Sequence, residues 1–328
     1  MINVAMLSYW HVHAWDYTQQ VQSHPDTQIT AVWDENVERG KKVAEQLDVP
    51  FYEDINQLLQ DETIEAVVVS APTSMHKEVM IKAAQAGKHI FTEKVIATTL
   101  KEVEQIMQAV EDNNVTMMVS LPRLYEGYTK SIVAVMEQNL LGKTTLVRVR
   151  LSHNGATANW LPDYFYNLEQ CGGGAMIDLG CHPMYLTLLF MGTPKHVQAS
   201  YTYITKKEVE DNAVVVLTHE NGAIGIVEAG FVNSHSPFMI EVHGTEGTII
   251  YNDEQLLIRS NRLAQNSWQE VPIMQNEQAA YVQWVNHLKA RTSDTFNLNM
   301  AKKLTLLMEA ANQSASTGTL VELADQYE

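Results

Sequence analysis

The chain has 328 residues, of which 45% are hydrophobic and 19% charged, so it can build the cores of two domains and is not a disordered chain. Its formal charge of −17 argues against the broad basic surface that a partner nucleic acid or an anionic membrane would require. The two cysteines, Cys171 and Cys181, are too few for a disulfide framework. The chain begins as an apolar strand without an export-type leader, and no apolar run could span a bilayer, so we expect a cytoplasmic protein without a membrane partner.

The first third of the chain alternates short apolar strands with helical segments. The predicted strands are Ile2–Leu7, Gln28–Trp33, Ala66–Ser70, His89–Thr92 and Thr116–Ser120. The predicted helices are Val37–Leu47, Met75–Ala86 and one that runs to about Asp112 after a capping box formed by Thr99 and Glu102. This alternation predicts an α/β domain over residues 1–121 with a Rossmann-type, doubly wound parallel sheet.

The pattern changes at about Pro122, where strands begin to follow one another without helices between them. The predicted strands are Thr145–Leu151, His196–Ile204, Ala213–His219, Ala223–Ala229, Met239–His243 and Gly247–Tyr251, and Asn221-Gly222 is the strongest hairpin signal. The predicted helices are Tyr128–Leu140, Asp178–Met191, Glu277–Lys289 and Met300–Ser316. Residues 122–328 are therefore predicted to form an α+β domain with an open, mostly antiparallel sheet, and the final helix is a candidate to pack back on the first domain.

The loop after the first strand lacks the glycines that usually allow a dinucleotide pyrophosphate to approach the backbone. Ser8, Trp10 and His13 occupy those positions. A helix N-terminus can still present N–H groups to phosphate, and Ser8 adds a hydroxyl. The candidate cofactor-binding residues of this loop are Ser8, Tyr9, Trp10, His11 and Val12. The alternative interpretation is a covered turn that binds nothing.

Asp34 follows the second strand about 20 residues after this loop, as expected for the acid that binds the adenosine ribose hydroxyls. A carboxylate there favours NAD as the cofactor, because it would repel the 2′-phosphate of NADP. Arg39 and Lys41 lie close by in the sequence and leave NADP open. Asp34 could alternatively cap the following helix.

Polar residues also follow the third and fourth predicted strands, where ligands bind in such sheets. The candidates after the third strand are Ser70, Ala71, Pro72, Thr73 and His76. Glu93 and Lys94 come directly after the fourth strand. The alternative for these two residues is a surface ion pair.

The segment Gly172-Gly173-Gly174 requires unusual backbone dihedrals or a close approach, and it precedes Asp178 and His182. These two residues share a helix face if the segment is helical, so the carboxylate could orient an imidazole that exchanges protons near neutral pH. The alternative is a capping aspartate and a core histidine. Metal ligation by Asp178, Cys181 and His182 matches no established zinc spacing. His11 and His13 would point in opposite directions in an extended segment, so no metal is predicted.

In chain order these motifs resemble the Gfo/Idh/MocA family of NAD(P)-dependent oxidoreductases, and the resemblance covers essentially the whole chain. It implies a dehydrogenase that transfers a hydride between a nicotinamide cofactor and a hydroxyl carbon of a sugar, inositol or related polyol. Lys94 would match the family's lysine near the nicotinamide and the substrate hydroxyl, and Asp178 and His182 would match its catalytic pair. Two departures are the glycine-free loop and Val95, which replaces the motif proline.

The resemblance also suggests a substrate side. Arg123 looks like the family's arginine at the domain crossover, and Trp160, Asp163 and Tyr164 are candidates to line a sugar site. These last three could alternatively be loop anchors. A homodimer or homotetramer formed through the exposed face of the second sheet is implied. The departures motivate a second hypothesis, an inactive family member that acts as a binding or regulatory subunit, and a metal-dependent lyase or isomerase is a third.

Overall fold

The structure, a computed structural model, describes residues 1–323. The chain divides into two compact units. The first unit contains Met1–Leu121 and Gln278–Thr305, and the second contains Pro122–Glu277 and the described residues from Leu306 onward. None of the helices in the described residues combines the length and the apolar character that crossing a membrane requires.

Helices and strands alternate at first and are then replaced by a run of strands. The elements up to the end of the first parallel sheet are β1 (Ile2–Leu7), α1 (Ala14–Ser23), β2 (Thr27–Trp33), α2 (Val37–Leu47), β3 (Phe51–Tyr52), α3 (Ile55–Gln60), β4 (Ala66–Val69), α4 (His76–Gln85), β5 (His89–Thr92), α5 (Leu100–Asp112) and β6 (Met117–Val119). The remaining elements are α6 (Gly127–Glu137), β7 (Thr144–Ser152), α7 (Leu168–Cys171), α8 (Cys181–Met191), β8 (His196–Thr202), β9 (Asn212–Thr218), β10 (Ile224–Gly230), β11 (Met239–Gly244), β12 (Gly247–Asn252), β13 (Gln255–Ser260), β14 (Gln269–Glu270), α9 (Ala280–Ala290), α10 (Thr295–Thr317) and β15 (Val321–Glu322).

The first unit is built on a parallel sheet, which confirms the predicted Rossmann-type fold. Within the described chain this sheet has six strands in the order β3-β2-β1-β4-β5-β6. All four residues of β4 are fully buried, as expected for a central strand covered on both faces. The order reverses between β1 and β4, so the loops after these two strands border the crevice where such sheets bind ligands. The strand β3 was not predicted from the sequence, because two residues are too few to show a periodic pattern.

The second unit contains the predicted open sheet. Across the described residues this sheet has nine strands in the order β14-β13-β12-β11-β7-β10-β9-β8-β15. Its neighbouring strands pair antiparallel except β7 and β10, which are parallel. The hairpin predicted at Asn221-Gly222 joins β9 to β10, and Gly222 adopts the positive φ of +82° that such turns favour.

Helix boundaries differ from the predicted ones by a few residues. The predicted cap is confirmed at the start of α5, where Thr99 Oγ1 accepts from the Glu102 N–H at 3.3 Å, whereas the Glu102 carboxylate accepts from the Thr98 hydroxyl. Helix α10 begins five residues earlier than predicted, because Asp294 accepts the Asn297 N–H at 2.9 Å and so caps the helix. Asp294 is a residue type that often caps helices, so it indicates this helix start in the sequence, whereas the pattern of apolar residues does not.

Helix α9 and the part of α10 up to Thr305 return to complete the first unit. The rings of Tyr281 and Trp284 from α9 lie 5.4 and 5.7 Å from the ring of Phe91 in β5, so three large buried aromatic side chains join the helix to the sheet. At the edge strand β6, the buried Asn297 side chain accepts the Val119 N–H and donates to the Val119 carbonyl, both at 2.9 Å. These two bonds satisfy backbone groups of β6 that the sheet itself leaves unpaired.

We predict that Asn297→Ala lowers the free energy of unfolding by about 2–4 kcal/mol, because it leaves two buried backbone groups of Val119 without partners. Urea unfolding followed by fluorescence measures this change. Asn286→Ala is the matched control, since Asn286 is exposed on α9 and the change should stay within about 0.5 kcal/mol. Equal stability of the two variants would show that Asn297 does not seal the edge of the sheet.

Candidate active site

The loop after β1 keeps the backbone geometry of a nucleotide-binding turn without a glycine. Ser8 adopts φ +76°, in the left-handed region that glycine usually occupies. Its N–H donates to the Trp33 carbonyl at 2.7 Å, and its Oγ accepts the Trp10 N–H at 3.1 Å. These bonds stabilise a conformation that is unfavourable for a residue with a Cβ.

The N–H groups of this loop bind other parts of the first unit. The Tyr9 N–H donates to Asp34 Oδ2 at 2.9 Å, and the His11 N–H donates to the Ser70 carbonyl at 3.0 Å. The side chain of Trp10 is buried, whereas that of Val12 is exposed. A glycine loop would offer such N–H groups to the pyrophosphate of a dinucleotide. Here a pyrophosphate would have to compete with the bonds that fix the loop to the ends of β2 and β4.

Asp34 lies at the end of β2 with a buried carboxylate that is already held by several donors. Arg39 binds it through two bonds, from Nε to Oδ2 at 2.9 Å and from Nη2 to Oδ1 at 2.7 Å. Oδ1 also accepts the Asn36 N–H at 2.7 Å. Asn36, rather than Asp34, caps α2. Ribose hydroxyls that approach Asp34 would therefore have to displace Arg39.

The loop after β4 contains an unpartnered polar atom at the predicted cofactor crevice. Among the described residues, the buried Ser70 Oγ has no hydrogen-bond partner. Thr73 follows Ala71 and Pro72 and begins a single 3-10 turn that leads into α4. At this position, a buried hydroxyl without a partner is suited to form a hydrogen bond with a bound ligand.

His76 joins the loop after β4 to the loop after β5. Its Nε2 lies 3.0 Å from the Ala71 carbonyl and its Nδ1 lies 3.0 Å from the Val95 carbonyl. Burial lowers the pKa of His76, and a neutral imidazole donates to one of these two oxygens. The ring therefore braces the segment that contains Lys94, and a direct cofactor contact by His76 stays a prediction.

Glu93 and Lys94 are not a surface ion pair, since both side chains are only 2% exposed. Lys94 Nζ lies 3.8 Å from Glu93 Oε1, while the Tyr17 hydroxyl donates to Oε2. His13 Nδ1 lies 3.2 Å and His11 Nδ1 lies 3.8 Å from the same Oε2. Burial alone would raise the pKa of Glu93, but His11, His13 and Lys94 hold that pKa well below its usual range. The carboxylate is therefore a buried anion that is surrounded by donors.

The expectation that His11 and His13 point in opposite directions is wrong. It assumed an extended segment, but the chain turns at this point, and the two ring centroids lie 4.7 Å apart. Both rings face Glu93, and one ligand atom from each of the three residues lies within 4.8 Å of the others. The turned backbone thus removes the geometric objection to a shared ligand.

In the second unit, the glycine run is shaped by Glu210. The buried Glu210 carboxylate accepts the N–H groups of Gly174 and Met176, each at 2.9 Å. Gly172 ends α7 with φ +75°, and a Cβ on Gly174 would lie 2.1 Å from the Glu210 carbonyl oxygen. Burial raises the pKa of Glu210. Both glycines are therefore required, one for its backbone conformation and the other for a close backbone approach.

The turn that follows this run contains Asp178 and leads directly into α8 with His182. It is a wide, π-helical turn over Met176–Gly180, a conformation often found at functional sites. The buried His182 Nδ1 lies 2.9 Å from the Tyr185 hydroxyl, which also accepts the Arg123 N–H at 3.0 Å. His182 is thus held by a buried hydrogen-bonded tyrosine on its own helix.

Asp178 is half-buried and lies near His153. Burial lowers the pKa of His153, and the Asp178 charge acts in the opposite direction. The His153 ring stacks on Phe231 with centroids 5.1 Å apart, and its Nδ1 accepts the Gly155 N–H at 3.0 Å. A carboxylate and a second, fixed imidazole therefore occupy the same region of the second unit.

Arg123 lies at the beginning of the second unit and is half-buried. Its Nη1 donates to the Tyr128 hydroxyl at 3.1 Å, and its guanidinium lies 4.1 Å from the centre of the Phe238 ring. Burial raises the pKa of Tyr128 to about 12, so this phenol stays protonated. The arginine is thus fixed by its neighbours, and its contact with substrate stays a prediction.

The other predicted substrate residues lie on a surface loop. Trp160 is 55% exposed and donates from Nε1 to Asn154 Oδ1 at 3.3 Å. The Asp163 side chain is 98% exposed and lies 3.6 Å from Lys207 Nζ, and Tyr164 is half-buried. An exposed loop of this kind can either bind a ligand or only anchor itself to the protein surface, so the role of these three residues in binding a sugar stays a prediction.

Sequence reasoning missed Glu210, Tyr185 and His153. Tyr185 could have been found from its spacing, because residues i and i+3 share a helix face with His182. Glu210 and His153 had no signal, since they reach Gly174 and Asp178 from distant parts of the chain. Both cysteines are free and buried, and burial raises the pKa of Cys171 to about 12, so this thiol is not a ready nucleophile.

A Rossmann-type unit with a cofactor crevice and a second unit in which Asp178 and His182 share one continuous helical segment fit a NAD(P)-dependent dehydrogenase. Residues 7–121 match the family described as an oxidoreductase family with an NAD-binding Rossmann fold, and residues 129–250 match the GFO/IDH/MocA C-terminal domain. These matches cover most of the chain. The protein belongs to the Gfo/Idh/MocA family of oxidoreductases.

The chain is similar to other oxidoreductases. An uncharacterized oxidoreductase of Bacillus subtilis, YrbE, is 28% identical over 71% of this chain and 68% of its own. Myo-inositol 2-dehydrogenase of Thermotoga maritima is 26% identical over 73% of this chain and 75% of its own. The solved structure of a levoglucosan dehydrogenase in complex with NADH and levoglucosan is 21% identical and superposes with a TM-score of 0.81 over 98% of this chain and 99% of its own, which shows a shared fold.

We predict that Arg39 controls the choice between NADH and NADPH. Arg39→Ala removes the cation that could bind a 2′-phosphate and also leaves Asp34 open to ribose hydroxyls. The affinity for NADPH should fall by about 10-fold or more relative to that for NADH, measured by titration with tryptophan-to-nicotinamide energy transfer. Lys41→Ala is the control, because Lys41 instead lies near the exposed Glu53, and it should leave the ratio unchanged. An unchanged ratio in Arg39→Ala would contradict this role.

Proposed function

We propose that this protein oxidises a hydroxyl carbon of a sugar, inositol or related polyol and passes the hydride to NAD, with Lys94, Asp178 and His182 as its catalytic residues. The observation that carries the proposal is the fixed, buried His182, which shares a continuous helical segment with Asp178 four residues earlier. An imidazole held in this way is suited to general acid–base catalysis on a substrate hydroxyl.

Each catalytic residue has a role that follows from its surroundings. His182 is anchored through Nδ1, so we assign the removal of the substrate hydroxyl proton to Nε2. The Asp178 carboxylate, four residues before His182 in the same helical segment, has the charge that stabilises the imidazolium that forms. Lys94 polarises the reacting oxygen, and the buried Glu93 carboxylate, whose Oε1 lies 3.8 Å from Lys94 Nζ, orients this side chain. Bound NAD would accept the hydride from the carbon that bears this hydroxyl group.

The residues of the first unit fit a dinucleotide. Ser8 preserves the turn conformation, Asp34 stands at the ribose position, and the buried Ser70 Oγ still requires a partner. We therefore assign the ribose to Asp34 and the loop after β4 to the rest of the cofactor. Because the N–H groups of the loop are already hydrogen-bonded to Asp34 and Ser70, we expect this loop to bind pyrophosphate more weakly than a glycine loop does.

The substrate class is supported by the names of the relatives. The Thermotoga maritima protein is a myo-inositol dehydrogenase, and the structural relative was solved with the sugar derivative levoglucosan. Both ligands are cyclic polyhydroxylated molecules. The polar and aromatic groups of the second unit, with Arg123 and Trp160 among them, suit such a ligand.

We predict that His182→Ala and Lys94→Met each reduce kcat by about 100-fold or more, because each removes a group that handles the reacting proton or oxygen. The measurement is NADH formation in a screen of inositols, aldoses and sugar lactol derivatives with both NAD and NADP. His196→Ala is the matched control, since His196 lies in β8 and takes no part in the proposed site.

Two outcomes would overturn the assignment. Turnover like that of the unaltered protein in both variants would exclude His182 and Lys94 as catalytic residues. No saturable binding of NADH or NADPH to the unaltered protein would exclude the dehydrogenase and favour a binding or regulatory role.

We also propose that the protein is a cytoplasmic homodimer or homotetramer whose copies meet through the outer face of the second sheet. Val214 and Ile224 are exposed on neighbouring strands β9 and β10, while the alternate residues Val215 and Leu217 are buried in the core. Light scattering after size exclusion should give a mass of two or four chains, and Val214→Asp should shift it toward one. A monomeric mass for the unaltered protein would contradict the proposal.

A further inference from the structure

His11, His13 and Glu93 form a cluster in the first unit whose ligand atoms lie close enough together to hold one metal ion. One ligand atom from each residue lies within 4.8 Å of the others, and the Nδ1 atoms of the histidines lie 3.8 and 3.2 Å from Glu93 Oε2. Ligand atoms around a tetrahedral Zn²⁺ with bonds of about 2.0–2.1 Å are separated by about 3.3 Å. We propose that these three residues bind one divalent transition-metal ion of the zinc class.

The donor chemistry agrees with this size. Two imidazoles and one carboxylate are a common ligand set for zinc, with the fourth position taken by water or another ligand. Lys94 Nζ approaches the other carboxylate oxygen, Oε1, so its charge is on the side of Glu93 away from the histidines. A divalent ion at Oε2 would add to the positive charge that Lys94 supplies to this buried carboxylate.

The surroundings also support the cluster as a site. The Tyr17 hydroxyl donates to Glu93 Oε2 and orients the carboxylate, as outer hydrogen bonds do for metal ligands. The loop is fixed independently by the bonds of Ser8 and Tyr9, so the histidines are positioned before an ion arrives. Ligation through His11 Nδ1 would replace its long, 3.2 Å bond from the His13 N–H.

The ion has a route into the cluster. The His13 side chain is 39% exposed, whereas His11 and Glu93 are buried. In this arrangement the ion would brace the glycine-free loop against the end of β5, next to Lys94. The competing explanation is that the cluster binds no metal and that His13 and Glu93 form a hydrogen-bonded ion pair. A measurement of metal binding distinguishes these two explanations.

The test uses the full chain after treatment with a chelator and dialysis, without cofactor or substrate. Competition between the protein and a chromophoric chelator for Zn²⁺ should give one tight ion per chain. His13→Ala should weaken this binding by about 100-fold or more, because a direct ligand is lost. His235→Ala is the matched control, since this exposed histidine lies on a loop of the second unit and is not part of the cluster, and the affinity of this variant should equal that of the unaltered protein.

Two further measurements test the proposal in ways that do not depend only on the affinity of His13→Ala. Zn²⁺ should raise the Tm of the unaltered protein and not that of His13→Ala, because only the folded site binds the ion. X-ray absorption of the zinc complex should show two imidazole nitrogens and an oxygen at about 2.0–2.1 Å. Absence of stoichiometric binding, equal affinity in His13→Ala, or a ligand shell without two imidazoles would each overturn the site.

Discussion

A buried carboxylate at the end of β5 is the constraint around which the first unit is arranged. Glu93 cannot remain ionised in an apolar interior unless donors and positive charge surround it. Lys94 approaches one of its oxygens, and Tyr17 and His13 approach the other. This requirement draws the β1–α1 loop, the first turns of α1 and the segment after β5 together. The position of the proposed catalytic lysine depends on how that one charge is accommodated.

The second unit solves a similar problem in another way. Glu210 is also a buried carboxylate, but its partners are backbone N–H groups of the glycine run instead of cations. The pKa of Glu93 is lowered because charged groups face it, whereas burial raises that of Glu210. The first carboxylate therefore organises charges beside a strand end, and the second organises the backbone that presents Asp178.

Much of the fold was readable from the sequence, because it depends on local and periodic patterns. The apolar run of β4, the helix cap at Thr99 and the Asn221-Gly222 turn each determine their own geometry within a few residues. The short strand β3 and the beginning of α10 were harder. The first is too short for a pattern, and the second depends on a single capping side chain at Asp294.

The candidate site was predictable only in part. The sequence indicated Lys94, Asp178 and His182 through a strand end, a glycine run and a four-residue spacing. It could not reveal that Asp34 is held by Arg39, nor that the loop N–H groups are bonded to neighbouring strands. It also led to the wrong orientation for His11 and His13, because the expected extended loop is in fact a turn.

By itself, the sequence determined most of the longer strands and helices, the fold class and the candidate catalytic residues, since each depends on neighbours within one element or one loop. Only the tertiary structure decided which side chains share a buried charge. Glu93 meets His11, His13 and Tyr17 across about 80 residues of chain, and Glu210 meets Gly174 across 36. Such long-range contacts depend on how whole helices and strands pack, because a buried charge is stabilised only by the groups that the tertiary structure places next to it.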